Sequence, residues 1–400
     1  MRASKDHAIL LTPVLPLPNC SGRALRAWDW LLELSCDHQV HVLVAGKFDV
    51  QDIPPNYPAA GVWPVTDGIF SPNRLLRAIG LLCPPCGLFF RGLVVDWFYP
   101  QGMTNMRNLV GRLGHKSVKR VVVFRFYLHD LGQSIASLCT DTRFDLDMDD
   151  LESQTRLSVA RCLARMRRPK ESLRSLMASM QYALLERAIV KGYHSVWLAA
   201  KEDAQRLSYR GIPNIAVRPN RVECPQHIPE RGLSQTDTAR FVFVGGLDYP
   251  PNQEAVFYLL NEIQPILEQC LTRPWTFRVV GRRAPKALVS RMEASGRVEF
   301  FPDTDELAEH YTNADAILVP LWAGGGTKLK VIEAFAHRRP VIASQEGVRG
   351  LAVRSGVHYL HAQTGAEFAK AVSQLLGDLA LADRVSSAGE AYYLQHHRLL

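Results

Sequence analysis

The stretch Pro320-Leu-Trp-Ala-Gly-Gly-Gly-Thr-Lys-Leu-Lys-Val-Ile-Glu-Ala-Phe-Ala336 decides how this chain folds. It is entered from the apolar run Ala316–Val319 and left through Arg339-Pro-Val-Ile-Ala-Ser344. Read outward, it predicts a buried strand, a glycine loop, an amphipathic helix and a second apolar strand. Such a unit gathers free backbone N–H groups and the positive end of a helix dipole at one point, which suits a phosphate. Lys328 and Lys330 add mobile positive charge there. Glu333 lies about a turn deeper, where a carboxylate would accept from sugar hydroxyls. A diphosphate loop beside a hydroxyl-binding carboxylate is what a nucleotide-sugar requires. The plainer reading is a structural junction with a solvated Lys330–Glu333 pair, contributing only about 0.2–0.5 kcal/mol. The loop is not a Walker loop, since no Gly-Lys-Ser/Thr follows, and its adjacent glycines are not the spread glycines of the dinucleotide fingerprint.

The flanking sequence repeats the same alternation. In the second half, strands are expected at Arg240–Val244, Thr276–Val280, Val298–Phe301, Ala316–Val319 and Pro340–Ala343. Helices follow Pro251 and cover Lys286–Ala294, Asp305–Thr312 and the chain from about Thr364 onward, with Asp303 and Glu306 suited to a capping box. The first half reads likewise: strands His7–Pro13, Val40–Ala45, Lys119–Phe126, Phe144–Met148, Ser195–Ala199 and Asn214–Arg218 alternate with helical patterns. Proline-rich Pro219–Pro229 reads as a linker. The expected architecture is α/β, two Rossmann-like doubly wound domains facing a central cleft. Residues 1–222 would form an N-terminal acceptor-side domain and 223–400 a C-terminal nucleotide-sugar-binding domain, with the last helix crossing back to the first. Ligand would lie outside the carboxyl ends of the strands.

Composition agrees. At 400 residues, 47% apolar and 22% charged, the chain suits two soluble domains and excludes collagen-like, disordered and disulfide-scaffold classes. The apolar run after Met1–Asp6 ends at Pro13, Pro16 and Pro18 and reads as a first strand, not a secretory signal. Cys83-Pro-Pro-Cys86 lacks the second pair a structural zinc site needs. It reads as a redox dithiol or as two reduced cysteines in an apolar turn, the latter fitting a cytoplasmic protein. The net charge of +8 owes much to Arg156–Arg174. Together with the broken apolar stretch Leu75–Tyr99, that run suggests peripheral contact with the inner face of a membrane. The plainer reading is a core helix pair beside a solvated basic helix. No recognisable module accompanies the charge that would make nucleic acid a partner.

These residues together resemble the glycosyltransferase family 4 group (group 1) of the GT-B fold, in its subgroup with a Gly-Gly-Gly-Thr-Lys/Arg-x-Lys loop. The motifs fall in that family's order over roughly 240–380: Phe241-Val-Phe-Val-Gly-Gly-Leu-Asp-Tyr-Pro-Pro-Asn252, Val279-Val-Gly281, Ala314-Asp315, Pro320 through Ala336, and Gly347-Val-Arg-Gly-Leu351. The first half is similar more loosely, through Leu11-Thr-Pro13, Ser21-Gly22, Asp145–Ser153, Ala200–Asp203 and Val217-Arg-Pro-Asn220.

The resemblance implies an enzyme, a hexosyltransferase-like glycosyltransferase in cell-surface polysaccharide or glycoconjugate synthesis. Its partners would be a nucleotide-sugar donor, which is a substrate, and a glycan or polyprenyl-linked acceptor; transfer would be retaining, with no cofactor and no metal. By resemblance, Gly324, Gly325, Gly326, Thr327 and Lys328 cradle the diphosphate, with Lys330 assisting and Glu333 holding the ribose. Gly245 and Gly246 join them, the loop after Phe301 faces the base, and Ser21 and Gly22 approach the donor phosphates. Lys328 and Glu333 would serve the chemistry, with His129 and Asp149 as further catalytic candidates. Many members have a glutamate where this chain has Gly325, and arginine and lysine where it has Gly246 and Pro251. Lys328 and Lys330 would then compensate for donor charge.

Asp145-x-Asp147-x-Asp149 leaves a rival open, because alternating carboxylates on a strand end share a face and suit a hard divalent cation. A nucleotide-sugar epimerase and a non-catalytic homologue binding nucleotide or a protein partner stay open as well.

Overall fold

A computed structural model describes residues 6–18, 21–65, 100–208, 214–225, 237–304 and 307–399, without the side chains of 100–103. The Leu75–Tyr99 stretch, Cys83-Pro-Pro-Cys86 and Glu306 lie outside the described residues. The chain forms two compact units. One is Met1–Arg156 with Leu176–Arg218; the other is Leu157–Ser175 with Pro219–Leu400. Residues 219–222 and the helix Leu379–His396 belong to the second unit, as does 157–175.

The first unit is built on seven parallel strands: β1 (His7–Thr12), β2 (Gln39–Val44), β3 (Gly61–Pro64), β4 (Val118–Phe124), β5 (Arg143–Asp149), β6 (Ser195–Leu198) and β7 (Ile215–Val217). Their order is β3-β2-β1-β4-β5-β6-β7. Ala8–Leu11 and Val121–Phe124 are wholly buried, as expected where helices cover both faces of a parallel sheet.

The second unit repeats the plan with six parallel strands: β8 (Ala239–Val244), β9 (Trp275–Gly281), β10 (Val298–Pro302), β11 (Ala316–Val319), β12 (Val341–Ala343) and β13 (Leu360–His361). The order β10-β9-β8-β11-β12-β13 is the Rossmann order. Its direction reverses between β8 and β11. Gly245-Gly246, which follows β8, and the loop after β11 therefore emerge side by side at the carboxyl edge.

The expected elements are present with ends shifted by a residue or two. The sequence reading lacked β3, β13 and the helix Pro100–Leu113. The basic run spans the end of one helix, Glu152–Arg165, and the start of the next, Pro169–Ile189, the two helical patterns the sequence shows there. Arg165 there pairs with Glu254 at 2.6 Å and Arg168 with Glu171 at 2.5 Å; Arg161, Arg165, Arg167, Lys170 and Arg174 are exposed. Among the described residues no helix is long and apolar enough to cross a membrane.

Candidate functional site

The loop from Pro320 to Lys328 leads into the helix Leu329–Ala336. Gly324 and Gly326 have φ values of 136° and 59°, so the turn depends on residues without a Cβ. Lys328 occupies the N-cap, and no side chain caps the helix, which leaves its first N–H groups without the usual acceptor. Three distant segments of the same unit hold the loop. Gly324 N donates to Ser158 Oγ at 2.9 Å, Arg165 Nη2 to Trp322 O at 3.4 Å, and Asn220 Nδ2 to Thr327 Oγ1 at 2.6 Å.

The two lysines are placed differently. Lys328 Nζ turns back onto its own loop, donating to Gly325 O and Gly326 O at 3.2 and 3.0 Å, and lies 3.6 Å from Glu346 Oε1. Lys330 forms no ion pair among the described residues. Its Nζ donates to Asn252 Oδ1 at 3.0 Å and sits 4.0 Å from the centroid of the Phe243 ring. Asn252 is itself oriented by donation to Gly246 O at 2.8 Å. A Cβ on Gly245 would stand 2.7 Å from Asn252 Nδ2 and 2.9 Å from Lys330 Nζ. Glycine after β8 thus lets the lysine and the asparagine meet above the sheet.

Burial, and then the neighbouring Lys328 charge, pull the Lys330 ammonium down to about 7. Burial raises the Glu333 carboxyl, opposed by a hydrogen bond from Tyr311 and by the Lys330 charge. Tyr311 Oη donates to Glu333 Oε2 at 2.6 Å. The site thus holds a lysine with no ion pair among the described residues, an uncapped helix start and a carboxylate one turn along. An anion arriving here would restore the Lys330 proton and meet oriented N–H dipoles.

Gly245, Gly246, Gly324, Gly325, Gly326, Thr327, Lys328, Lys330 and Glu333 are brought together at the second sheet's reversal point. Phe301 stands at the end of β10, 4.4 Å from the His310 ring and 5.5 Å from the Arg278 guanidinium. Ser158, Asn220, Asn252 and Tyr311 belong to the arrangement as well; Asn220 and Asn252 close two of the quoted motifs without a role assigned to either, and Ser158 and Tyr311 were not singled out from sequence. Asn252 had a further readable signal: Pro250 and Pro251 start a helix, which puts the asparagine in its first turn.

The first unit places the remaining candidates. Ser21 caps the helix Gly22–Asp37, accepting from Ala24 N at 3.5 Å. His129 Nδ1 lies 2.8 Å from Tyr193 Oη. Asp145, Asp147 and Asp149 each meet arginine: Asp145 with Arg120 at 2.9 Å, Asp147 with Arg26 at 2.8 Å, and Asp149 with Arg125 at 2.7 Å. Their alternation fails at its end, because the β5–β6 register shifts between Asp147 and Asp149 and Asp149 has φ 65°. Arg125 also reaches Asp150 at 3.1 Å and Glu152 at 2.8 Å.

Residues 238–378 match the family model described as Glycosyl transferases group 1. The second unit carries a group 1 glycosyltransferase domain. Among solved structures, sucrose-phosphate synthase from Thermosynechococcus elongatus is similar to this chain with a TM-score of 0.68 at 14% identity, over 98% of this chain and 95% of that one. Anabaena HepE in complex with UDP and glucose gives 0.65 at 12%, over 98% and 96%. A glycosyltransferase from Rickettsia africae gives 0.64 at 13%, over 99% and 95%. At these identities the likeness establishes the shared GT-B fold. No curated protein matches the sequence.

Proposed function

We propose that this group 1 glycosyltransferase moves a sugar from a nucleotide-sugar donor to a glycan or polyprenyl-linked acceptor, with retention and without a metal, in building a cell-surface glycan. The observation that carries this reading is the meeting of Lys330, Asn252 and the uncapped Leu329–Ala336 helix at the second sheet's reversal point, with Glu333 one turn deeper. Cations and N–H dipoles there would stabilise the leaving diphosphate, as a divalent ion does elsewhere. The HepE structure with UDP-glucose supports a nucleotide-sugar for this fold. Asp149, at the carboxyl end of β5, is the acceptor-side candidate in this reading.

A lipid-linked acceptor has its own support. On the helix Pro169–Ile189, Leu176, Met180 and Leu184 repeat at helical spacing and are exposed at 39%, 65% and 52%, with exposed Arg187 next along the face. An anionic lipid surface suits such a face. Pelleting with anionic vesicles that Met180→Asp abolishes supports membrane contact; no pelleting at low salt ends that part of the reading.

The test of transfer is nucleoside diphosphate release from UDP-, GDP- and ADP-sugars in EDTA, with glycan and polyprenyl-phosphate acceptors. Acceptor-dependent release from one donor class is expected. One observation favours a second reading, a nucleotide-binding homologue without transfer: Gly325 stands where many relatives have glutamate. Binding without release under every acceptor would favour it, and isomerised donor without acceptor would point to an epimerase.

A further inference from the structure

Glu333 is held from two sides by aromatic residues of its own unit. Tyr311, in the last turn of the short helix Leu307–Thr312, has its side chain wholly buried and donates to Glu333 Oε2 at 2.6 Å. Its ring stacks on His337, with centroids 5.1 Å apart and planes 20° apart. His337 Nδ1 lies 2.8 Å from Glu333 O. A carbonyl only accepts, so Nδ1 carries the proton and the imidazole orientation is fixed. Backbone and carboxylate of one glutamate are thus gripped by two rings that also pack on each other. Glu333 Oε1 makes no hydrogen bond among the described residues.

We propose that Tyr311 is a positioning residue for nucleotide recognition, fixing the Glu333 carboxylate so that Oε1 accepts from a ribose hydroxyl. The inference rests on the donor-site reading above and adds to it the residue that sets ribose selectivity. A glutamate with no partner samples several rotamers, and ordering it on binding weakens the complex. The Tyr311 bond does that ordering in advance, at the end of the carboxylate away from ligand. Tyr311 touches no ligand in this scheme and acts only through Glu333. The bond also favours the ionised carboxylate against the burial that raises it.

The test compares UDP, GDP and ADP with their 2′-deoxy and 3′-deoxy counterparts by isothermal titration. The proteins are the whole chain, Tyr311→Phe, Glu333→Gln and the double variant. The wild type should prefer the ribonucleotide over one deoxy form by roughly tenfold or more, the worth of a hydrogen bond to a charged group. Tyr311→Phe should weaken the ribonucleotide by roughly tenfold and leave that deoxy form within about twofold, since only the Glu333 contact is lost. The double variant should discriminate no worse than Glu333→Gln, because both changes remove one interaction. If Tyr311→Phe weakens ribo and deoxy forms equally, or keeps the wild-type ratio, the tyrosine does not position Glu333. If Tyr311→Phe does not fold, additive effects of Glu333→Gln and His337→Phe on the ratio overturn the clamp, and non-additive effects sustain it. If no diphosphate binds the wild type, the donor-site reading itself fails, an outcome distinct from the others.

Discussion

Lys330 donates from Nζ to Asn252 Oδ1 across 3.0 Å, joining the helix after β11 to the helix after β8. Burial, and then the neighbouring Lys328 charge, penalise its charged form, so its pKa falls to about 7. A bound diphosphate reverses that penalty. Binding above pH 7 should therefore take up a proton, and affinity should fall as pH rises from 7 towards the raised pKa of the complex. Titration at pH 8 in two buffers of different ionisation enthalpy reads the proton directly; Lys330→Met should abolish the uptake.

The same lysine affects folding stability with a definite sign. Its folded pKa of about 7 lies below the ordinary 10.5, so between these values the unfolded chain binds more protons. Stability from this group therefore rises with pH across that window and is lowest below pH 7. Lys330→Met should stabilise the nucleotide-free protein at pH 6 and should do so less at pH 9, in urea unfolding at each pH.

Two of the side chains that hold the loop, Ser158 and Asn220, carry no charge. Ser158→Ala leaves buried Gly324 N without its acceptor, a loss of about 1–3 kcal/mol. Asn220→Ala removes the 2.6 Å bond to Thr327. Both variants should remain folded, with a lower urea midpoint and weaker diphosphate binding.

In the first unit, Arg125 compensates Asp149, Asp150 and Glu152. Arg125→Met should destabilise by about 3–5 kcal/mol, because it strands buried carboxylates. Burial already raises the Asp149 carboxyl, so acid should narrow the gap from wild type. Urea midpoints at pH 5 and pH 7.5 check this.

What was legible in the sequence follows from how local each signal is. Wholly buried parallel strands such as Ala316–Val319 announce themselves as apolar runs, and the glycines and Lys328, Lys330 and Glu333 lie within one short segment. β3 and β13 were not legible, since Gly61–Pro64 is a four-residue edge strand ending in proline and Leu360–His361 has two residues. Spacing showed that Asp145 and Asp147 share a face but not that Arg120 and Arg26 meet them, because those partners come from distant elements. Likewise nothing local to Asn220 or Ser158 points to Thr327 and Gly324. Tyr311 reads as an ordinary core aromatic until its hydroxyl is seen against Glu333.

The most direct test of a diphosphate site at the second sheet's reversal point is isothermal titration of UDP, GDP and ADP, in EDTA, into wild type and Lys330→Met. The account predicts that one nucleotide binds the wild type and loses roughly 10- to 100-fold in affinity in the variant, the worth of a charge-assisted hydrogen bond. Equal affinity in both proteins, or binding only when a divalent metal replaces EDTA, would contradict it.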